Sequence, residues 1–293
     1  MTQTRKSFRK SLKSGKLLRM PGAFNPLVAM AIQRAGFDGV YLSGGAFSAS
    51  MGLPDIGMTT LPEVTGICAQ MTRVMDLPIL ADADTGFGGI PNVARTVTMF
   101  EEAGAAGIHL EDQVHPKRCG HLDGKELVDT KTMVQKIRAA ISVKQDPDFL
   151  IMARTDAKGV EGLDKAIARA KAYVDAGAEA IFPEALEGEK EFEKFRKAVK
   201  VPLLANMTEF GKSKLLTVKQ LENLGYNIVI YPVTTLRLAM GAITDGLKQI
   251  KRDGTQQNVV KNMQTRAELY DLLDYESYSK FDQKIYNFKV KKN

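Results

Sequence analysis

One junction recurs through this chain. AIQRAGFDGVYLSG, FEEAGAAGIHLED, YVDAGAEAIFPEA and QLENLGYNIVIYP each run from a helix-like segment through a glycine into an apolar run within a few residues. Gly36, Gly104, Gly177 and Gly225 stand where a helix ends in the left-handed conformation that glycine adopts without strain. Short runs rich in Val, Ile and Leu lie at 17–24, 39–42, 78–81, 107–110, 149–153, 180–182, 202–205 and 228–231. Segments with 3.6-residue periodicity fall between them, among them 92–103, 130–143, 163–176 and 217–224. Strand followed by helix eight times predicts an all-parallel sheet. No Gly-x-Gly-x-x-Gly turn follows the first strand, so a closed (β/α)8 TIM-type barrel fits better than an open doubly wound sheet. The 293 residues show no linker or low-complexity break, which predicts a single domain over 1–293 with an N-terminal helix. The segment from 258 to 288 exceeds what closing a barrel needs and reads as a C-terminal helical extension.

Charge and composition narrow the function. The formal net charge is +7, but residues 1–19 alone carry seven Lys or Arg and no acid, and residues 280–293 carry five Lys and one Asp. The body between them is therefore net acidic. No interleaved aromatics or reading motif accompany the basic ends, so they are read as solvated termini and not as a nucleic-acid surface. Phe8, Ser11 and Leu12 among lysines fit a short amphipathic helix better than a transit peptide. The start lacks the apolar core of a secretory signal and no apolar run is long enough to span a bilayer. Two cysteines, Cys68 and Cys119, give no disulfide framework. These features together predict a soluble cytoplasmic protein that binds neither membrane nor nucleic acid.

In a barrel of this kind the chemistry gathers at the carboxyl ends of the strands. Ser43, Gly44 and Gly45 end the second strand, Asp82 and Asp84 the third, Glu111 and Asp112 the fourth, Arg154 and Asp156 the fifth, Glu184 the sixth, and Asn206, Met207, Thr208 and Glu209 the seventh. The two glycines let backbone amides approach an anion. Asp82 and Asp84, two apart, face the same way if both continue a strand, as a hard divalent cation requires.

The stretch EDQVHPKRCGH, 111–121, is open to two further readings. All three histidines, His109, His115 and His121, fall within thirteen residues beside Cys119, so zinc is a rival. A second Cys/His pair at structural-zinc spacing is missing. Cys119 is flanked by Lys117, Arg118 and His121, which predicts a thiol with a lowered pKa. Cys68 lies among apolar helix positions and reads as an inert core thiol.

KRCGH with EDQ before it, ADADTGFGG upstream, ARTDA and ANMTEFGK downstream, and PGAFNPLVAMAIQRAGFDGVYLSGG near the start together resemble the isocitrate lyase and phosphoenolpyruvate mutase superfamily, from about residue 17 to 273. The resemblance implies Mg2+-dependent barrels, with Mn2+ as an alternative, that act on oxo- or hydroxycarboxylates. It implies homotetramers that exchange the last barrel helix. Asp82 and Asp84 would hold the metal, with Asp55 and Glu111 farther out. Ser43, Gly44, Gly45, Cys119, Gly120, Arg154, Glu184, Asn206, Met207, Thr208, Arg237 and Arg266 would surround a tricarboxylate substrate. Tyr41 would act as base and Cys119 as acid, with Arg154, His121 and Glu184 assisting. The pattern is most similar to lyases that cleave 2-methylisocitrate to pyruvate and succinate. Isocitrate lyases carry KKCGH, are longer, and place Trp-Cys where this chain has Phe182 and Pro183. Activity on 2,3-dimethylmalate, oxaloacetate or isocitrate is the alternative within the superfamily. A catalytically silent barrel that binds zinc or nucleic acid is the alternative outside it.

Overall fold

The computed structural model describes residues 2–287. The last residue of the expected C-terminal extension, Phe288, and the basic residues Lys289, Lys291 and Lys292 lie outside that range. In chain order the elements are α1 (Thr2–Leu12), β1 (Leu18–Ala23), α2 (Pro26–Arg34), β2 (Val40–Leu42), α3 (Gly44–Ser50), α4 (Leu61–Thr72), β3 (Ile79–Asp82), α5 (Ile90–Glu102), β4 (Gly107–Glu111) and α6 (Thr130–Val143). They continue with β5 (Leu150–Thr155), α7 (Lys158–Glu161), α8 (Leu163–Asp175), β6 (Ala180–Pro183), α9 (Glu189–Ala198), β7 (Leu204–Asn206), α10 (Val218–Asn223), β8 (Ile228–Tyr231) and α11 (Thr234–Asp253). A 3-10 turn (Gln257–Asn262), α12 (Arg266–Leu272) and α13 (Tyr275–Tyr286) follow.

All eight expected strands are present, and every pairing between them is parallel. The sheet order runs β6-β5-β4-β3-β2-β1-β8-β7, and a parallel bridge between Ile181 and Leu203 joins its two edges, giving a nearly closed TIM-type (β/α)8 barrel. Gly36, Gly104, Gly177 and Gly225 have φ of 75°, 87°, 109° and 78°, the left-handed helix terminus their spacing predicted.

Strand residues alternate between two buried layers, the reason these strands are apolar throughout. Ile79, Ala81, Ile108, Ile151, Ala153 and Ile181 pack outward against the helices. Leu18, Met20, Leu80, Leu150, Met152, Leu204, Ile228 and Ile230 fill the barrel interior. Phe8 and Leu12 of α1 belong to the interior cluster, so the amphipathic N-terminal helix caps the barrel. Its cations are engaged there. Arg5 donates to the carbonyls of Ala105 and Glu101 and pairs with Asp146, and Arg9 bonds the carbonyls of Asp148 and Phe149 and the Glu179 carboxylate.

By backbone proximity the chain falls into two compact units, Met1–Arg237 and Leu238–Asn293. The second unit is helical, and none of α11, α12 or α13 buries a residue within the single chain. Met240, Ile243 and Leu247 on α11, and Tyr278, Phe281 and Ile285 on α13, recur at helical spacing and are exposed. No helix among the described residues is long and apolar enough to cross a membrane.

Candidate active site

A cavity of about 280 Å³ opens at the carboxyl ends of the strands. It is lined by Tyr41, Ser43, Gly45, Asp55, Asp82, Lys117, Cys119, Gly120, His121, Arg154, Phe182, Glu184, Asn206, Thr208 and Arg237, among others. Most of the expected site residues therefore meet. Gly44 sits just behind, and a Cβ there would stand 2.9 Å from Asp82 Oδ2 and 3.5 Å from Asp84 Oδ1, so only glycine lets this backbone run beside both carboxylates. Met207 does not line the cavity. It packs in the core, where its Sδ accepts from the Leu216 amide at 3.2 Å. Arg266 opens α12 in the second unit. Arg237 is turned onto Glu209, with Nη1 2.8 Å from Oε2.

The aspartates converge by a different route from the one their spacing suggested. Asp82 ends β3, but Asp84 lies beyond it with φ 45°, and its amide donates to Asp82 Oδ1 at 3.0 Å. A turn, not strand alternation, aims the two carboxylates at one place. Burial, only partly offset by Lys117, and repulsion from Asp82 and Asp55 push the Asp84 carboxyl up to about 6. Burial also drives Glu111 well above the usual range, and neither of its carboxylate oxygens has a hydrogen bond. Buried carboxylate oxygens without donors fit a hydrated divalent cation as the missing partner. Among the described residues no three His, Cys, Asp or Glu side chains are placed to hold a metal directly. That suits Mg2+, which keeps several waters, and not a dry structural zinc site. The histidines are also dispersed in their bonding, His109 to Tyr41 and His121 to Glu184.

Lys117 provides the positive charge here, its Nζ contacting Asp55 and lying 3.0 Å from Asp84 Oδ1. Burial opposes that charge, but Asp84, Glu111 and Asp55 outweigh it and raise the lysine well above its ordinary pKa. The expectation of an acidic Cys119 is corrected by the same placement. Burial raises the thiol pKa, with the Asp55 and Glu184 charges adding to it, and the His121 backbone bond and Arg154 only partly offset them, while the neighbouring Lys117 is spent on Asp55 and Asp84. The thiol therefore stays protonated, the form a proton donor needs.

Arg154 lies among three carboxylates, with Nη1 3.3 Å from Glu111, Nε 3.0 Å from Asp156 and Nη2 3.2 Å from Glu184. Its guanidinium carbon sits 5.1 Å over the Phe182 ring. Burial works against Glu184 ionising, yet Arg154 and His121 outweigh it and hold that carboxyl far below the usual range. His121 Nδ1 accepts from the Lys212 amide at 3.0 Å, which places the proton on Nε2, 2.9 Å from Glu184 Oε1. Gly120 nests against this group. A Cβ there would fall 2.3 Å from Arg154 Nη2 and 2.7 Å from Glu184 Oε2, so the loop can lie this close only as glycine. The Tyr41 hydroxyl, which also lines the cavity, is 2.8 Å from His109 Nε2 and 3.4 Å from Asp82 Oδ2.

Two strand-end residues to which the sequence assigned no role, Asp112 and Asp156, lie one layer back with Thr155, Tyr173 and Lys125. Asp112, next to Glu111 on β4, faces away from the cavity, as alternation requires. It accepts from Thr155 Oγ1 and Tyr173 OH at 2.8 Å each and from the Asp156 amide at 2.8 Å. Lys125 contacts Gly120 and Asp156. The DQ and TDA stretches carried this signal only once a barrel was assumed.

A barrel whose strand ends hold a carboxylate cluster, a buried arginine and a loop-borne thiol over one cavity defines an enzyme of the (β/α)8 class. The chain belongs to the phosphoenolpyruvate phosphomutase family, whose pattern matches residues 8–251. It is 58% identical over 287 residues to a probable 2-methylisocitrate lyase of Corynebacterium glutamicum, covering 98% of this chain and 94% of that one. Among solved structures it resembles a 2,3-dimethylmalate lyase (TM-score 0.91, 33% identity, 99% of each chain). It also resembles a phosphonopyruvate hydrolase complexed with oxalate and Mg2+ (TM-score 0.88, 32% identity, 96% and 98% of the two chains).

Proposed function

We propose that this chain is a Mg2+-dependent carbon–carbon lyase that cleaves 2-methylisocitrate to pyruvate and succinate. The observation that carries the reading is that Cys119, Tyr41, Asp82 and Arg154 all line one cavity at the carboxyl ends of the strands. Identity to lyases with that substrate in their name supports it.

Asp82 and Asp84, with Asp55 and Glu111 nearby, would hold Mg2+ or Mn2+, which would supply positive charge that favours loss of a substrate hydroxyl proton and stabilises developing negative oxygen. The protein does the rest. Tyr41 takes the hydroxyl proton. Burial and the nearby Asp82 hold its own phenol proton on, well above the ordinary pKa, so it works as a base only by passing that proton onward. His109 Nε2, 2.8 Å away, is the nearer acceptor, and because burial lowers its pKa to about 4 it gives that proton up to solvent within the turnover, balancing the proton the thiolate later regains. As the oxyanion collapses to the pyruvate carbonyl, the carbon–carbon electron pair stays on the succinate fragment, whose charge Arg154 faces. The Cys119 S–H delivers its proton to that carbon, and the thiolate regains a proton through solvent before the next turnover. Ser43, Gly44, Gly45, Gly120, Asn206, Thr208 and Arg237 would surround the substrate carboxylates, with Glu184 keeping Arg154 and His121 in place and Met207 shaping the wall from behind. Phe182 and Pro183 would leave room for the substrate methyl, a discrimination of about 1–3 kcal/mol.

The exposed apolar stripes of α11 and α13 support a homotetramer in which this helical segment is exchanged between subunits, acting in the cytoplasm. Incubation with 2-methylisocitrate, isocitrate, 2,3-dimethylmalate and oxaloacetate, each with Mg2+ or EDTA, is expected to release keto acid fastest from the first and only with metal. No pyruvate from 2-methylisocitrate under any condition would reject the assignment.

The Asp84 shift fixes the sign of a pH effect. A carboxyl raised from 3.8 to about 6 in the fold binds more protons folded than unfolded between those values. The contribution of Asp84 to the stability of the metal-free chain, read as the difference from Asp84→Asn, is therefore expected to fall as pH rises from about 4 to 6. Mg2+ binds the ionised form, so its stabilising increment in Tm should grow over the same window. A Mg2+ increment independent of pH from 4 to 7 would contradict the placement of the cation at Asp84.

A further inference from the structure

Lys125 is a buried cation, with 2% of its side chain exposed, to which the reaction gives no part. It lies in the loop that carries Cys119, yet its ammonium points back under that loop. There it bonds the Gly120 carbonyl, one residue from the thiol, and lies 3.4 Å from Asp156 Oδ1 on the barrel. Asp156 in turn accepts from Arg154 Nε at 3.0 Å and Nη2 at 3.2 Å. One carboxylate thus fastens both the loop and the arginine that faces the substrate.

A lysine buried merely to fold a loop is a poor arrangement. Its desolvation costs several kcal/mol and the pair returns little net stability over an apolar side chain. What such a pair does supply is a defined geometry between the groups it joins. Other anchors of the loop act elsewhere. Gln113 clasps the Arg118 backbone, Lys117 reaches Asp55 and Asp84, and His121 reaches Glu184. Lys125 ties the Cys119–Gly120 turn itself to strand β5.

We propose that Lys125 is the latch of this loop, a positioning residue that joins Gly120 to Asp156 and so sets the Cys119 thiol and the Arg154 guanidinium in register over the cavity. Its kinetic consequence rests on the lyase reaction proposed above; its effect on the loop does not.

The test compares wild type, Lys125→Met and Lys125→Arg in the full-length protein with MgCl2 and succinate present. Cys119 alkylation by iodoacetamide is followed by mass, with the buried Cys68, its pKa pushed up to about 12, as the silent internal control. Removing a nearby cation raises a thiol pKa and slows alkylation, whereas releasing the loop speeds it. Lys125→Met is expected to be alkylated about tenfold faster or more, as loss of a charge-assisted hydrogen bond allows. Its kcat on 2-methylisocitrate should fall about 10²-fold with KM changed less than about threefold, the mark of a misplaced acid and not of lost binding. Lys125→Arg should recover most of both. An alkylation rate in Lys125→Met equal to or below that of wild type overturns the latch, including where Tm falls. If wild type yields no keto acid from any of the four acids, the proposed reaction fails, and the alkylation rates alone decide the latch.

Discussion

Cys119→Ser is expected to lower turnover of 2-methylisocitrate by about 10²–10⁴-fold, the usual worth of a positioned general acid. The substitution nearly conserves volume and keeps the loop backbone bonds, including the Leu122 amide to the Cys119 carbonyl at 3.0 Å. Calorimetric binding of Mg2+ and of succinate should therefore be unchanged. What is lost is proton supply. Burial already holds the thiol above its ordinary pKa, and a serine hydroxyl in the same surroundings is a far weaker acid. Single-turnover measurements should show carbon–carbon cleavage outpacing formation of fully protonated succinate. Turnover close to wild type would remove Cys119 from the acid role.

Arg154→Met carries the largest expected loss of stability. Glu111, Asp156 and Glu184 all lie within 3.3 Å of the guanidinium and are fully buried or nearly so. Methionine fills much of the volume but leaves these carboxylates without their shared cation, a change that costs about 3–5 kcal/mol when one partner of a buried pair is removed. Denaturant unfolding should report it. Acidification should then relieve the variant, because protonating the abandoned carboxylates removes their repulsion. A variant as stable as wild type at neutral pH would mean that His121, Lys125 and solvent carry the balance instead. Turnover should be abolished in either case.

The barrel was legible because its signal is periodic and repeated. Four glycine junctions and eight apolar runs each depend on local geometry, and the observed strands differ from the expected ones by one or two residues at their ends. The site was legible in membership more than in mechanism. Asp82 and Asp84 were drawn together by a DxD spacing, but the structure uses a left-handed residue at Asp84 that the spacing does not encode. The thiol was misjudged for a similar reason. Sequence shows which cations are neighbours of Cys119 along the chain, whereas pKa depends on which acceptors those cations reach across space. The layer formed by Asp112, Thr155, Tyr173 and Asp156 was invisible as a unit because it links strands β4 and β5 to helix α8 over more than forty residues of sequence. Beside the single-domain expectation for 1–293, backbone proximity divides the chain into two compact units, a division that no composition break in the sequence marks.

The N-terminal helix has a bearing on solvent traffic. With Phe8 and Leu12 seated among the interior side chains, the barrel is stoppered at its amino end. Under the proposed cleavage, that packing closes the axial route by which water would reach the carbanion from the amino end. The competition between enzymic and adventitious protonation is then decided at the rim. Substitutions that loosen Phe8 or Leu12 are expected to show first as isotope scrambling in the succinate, not as a slower reaction.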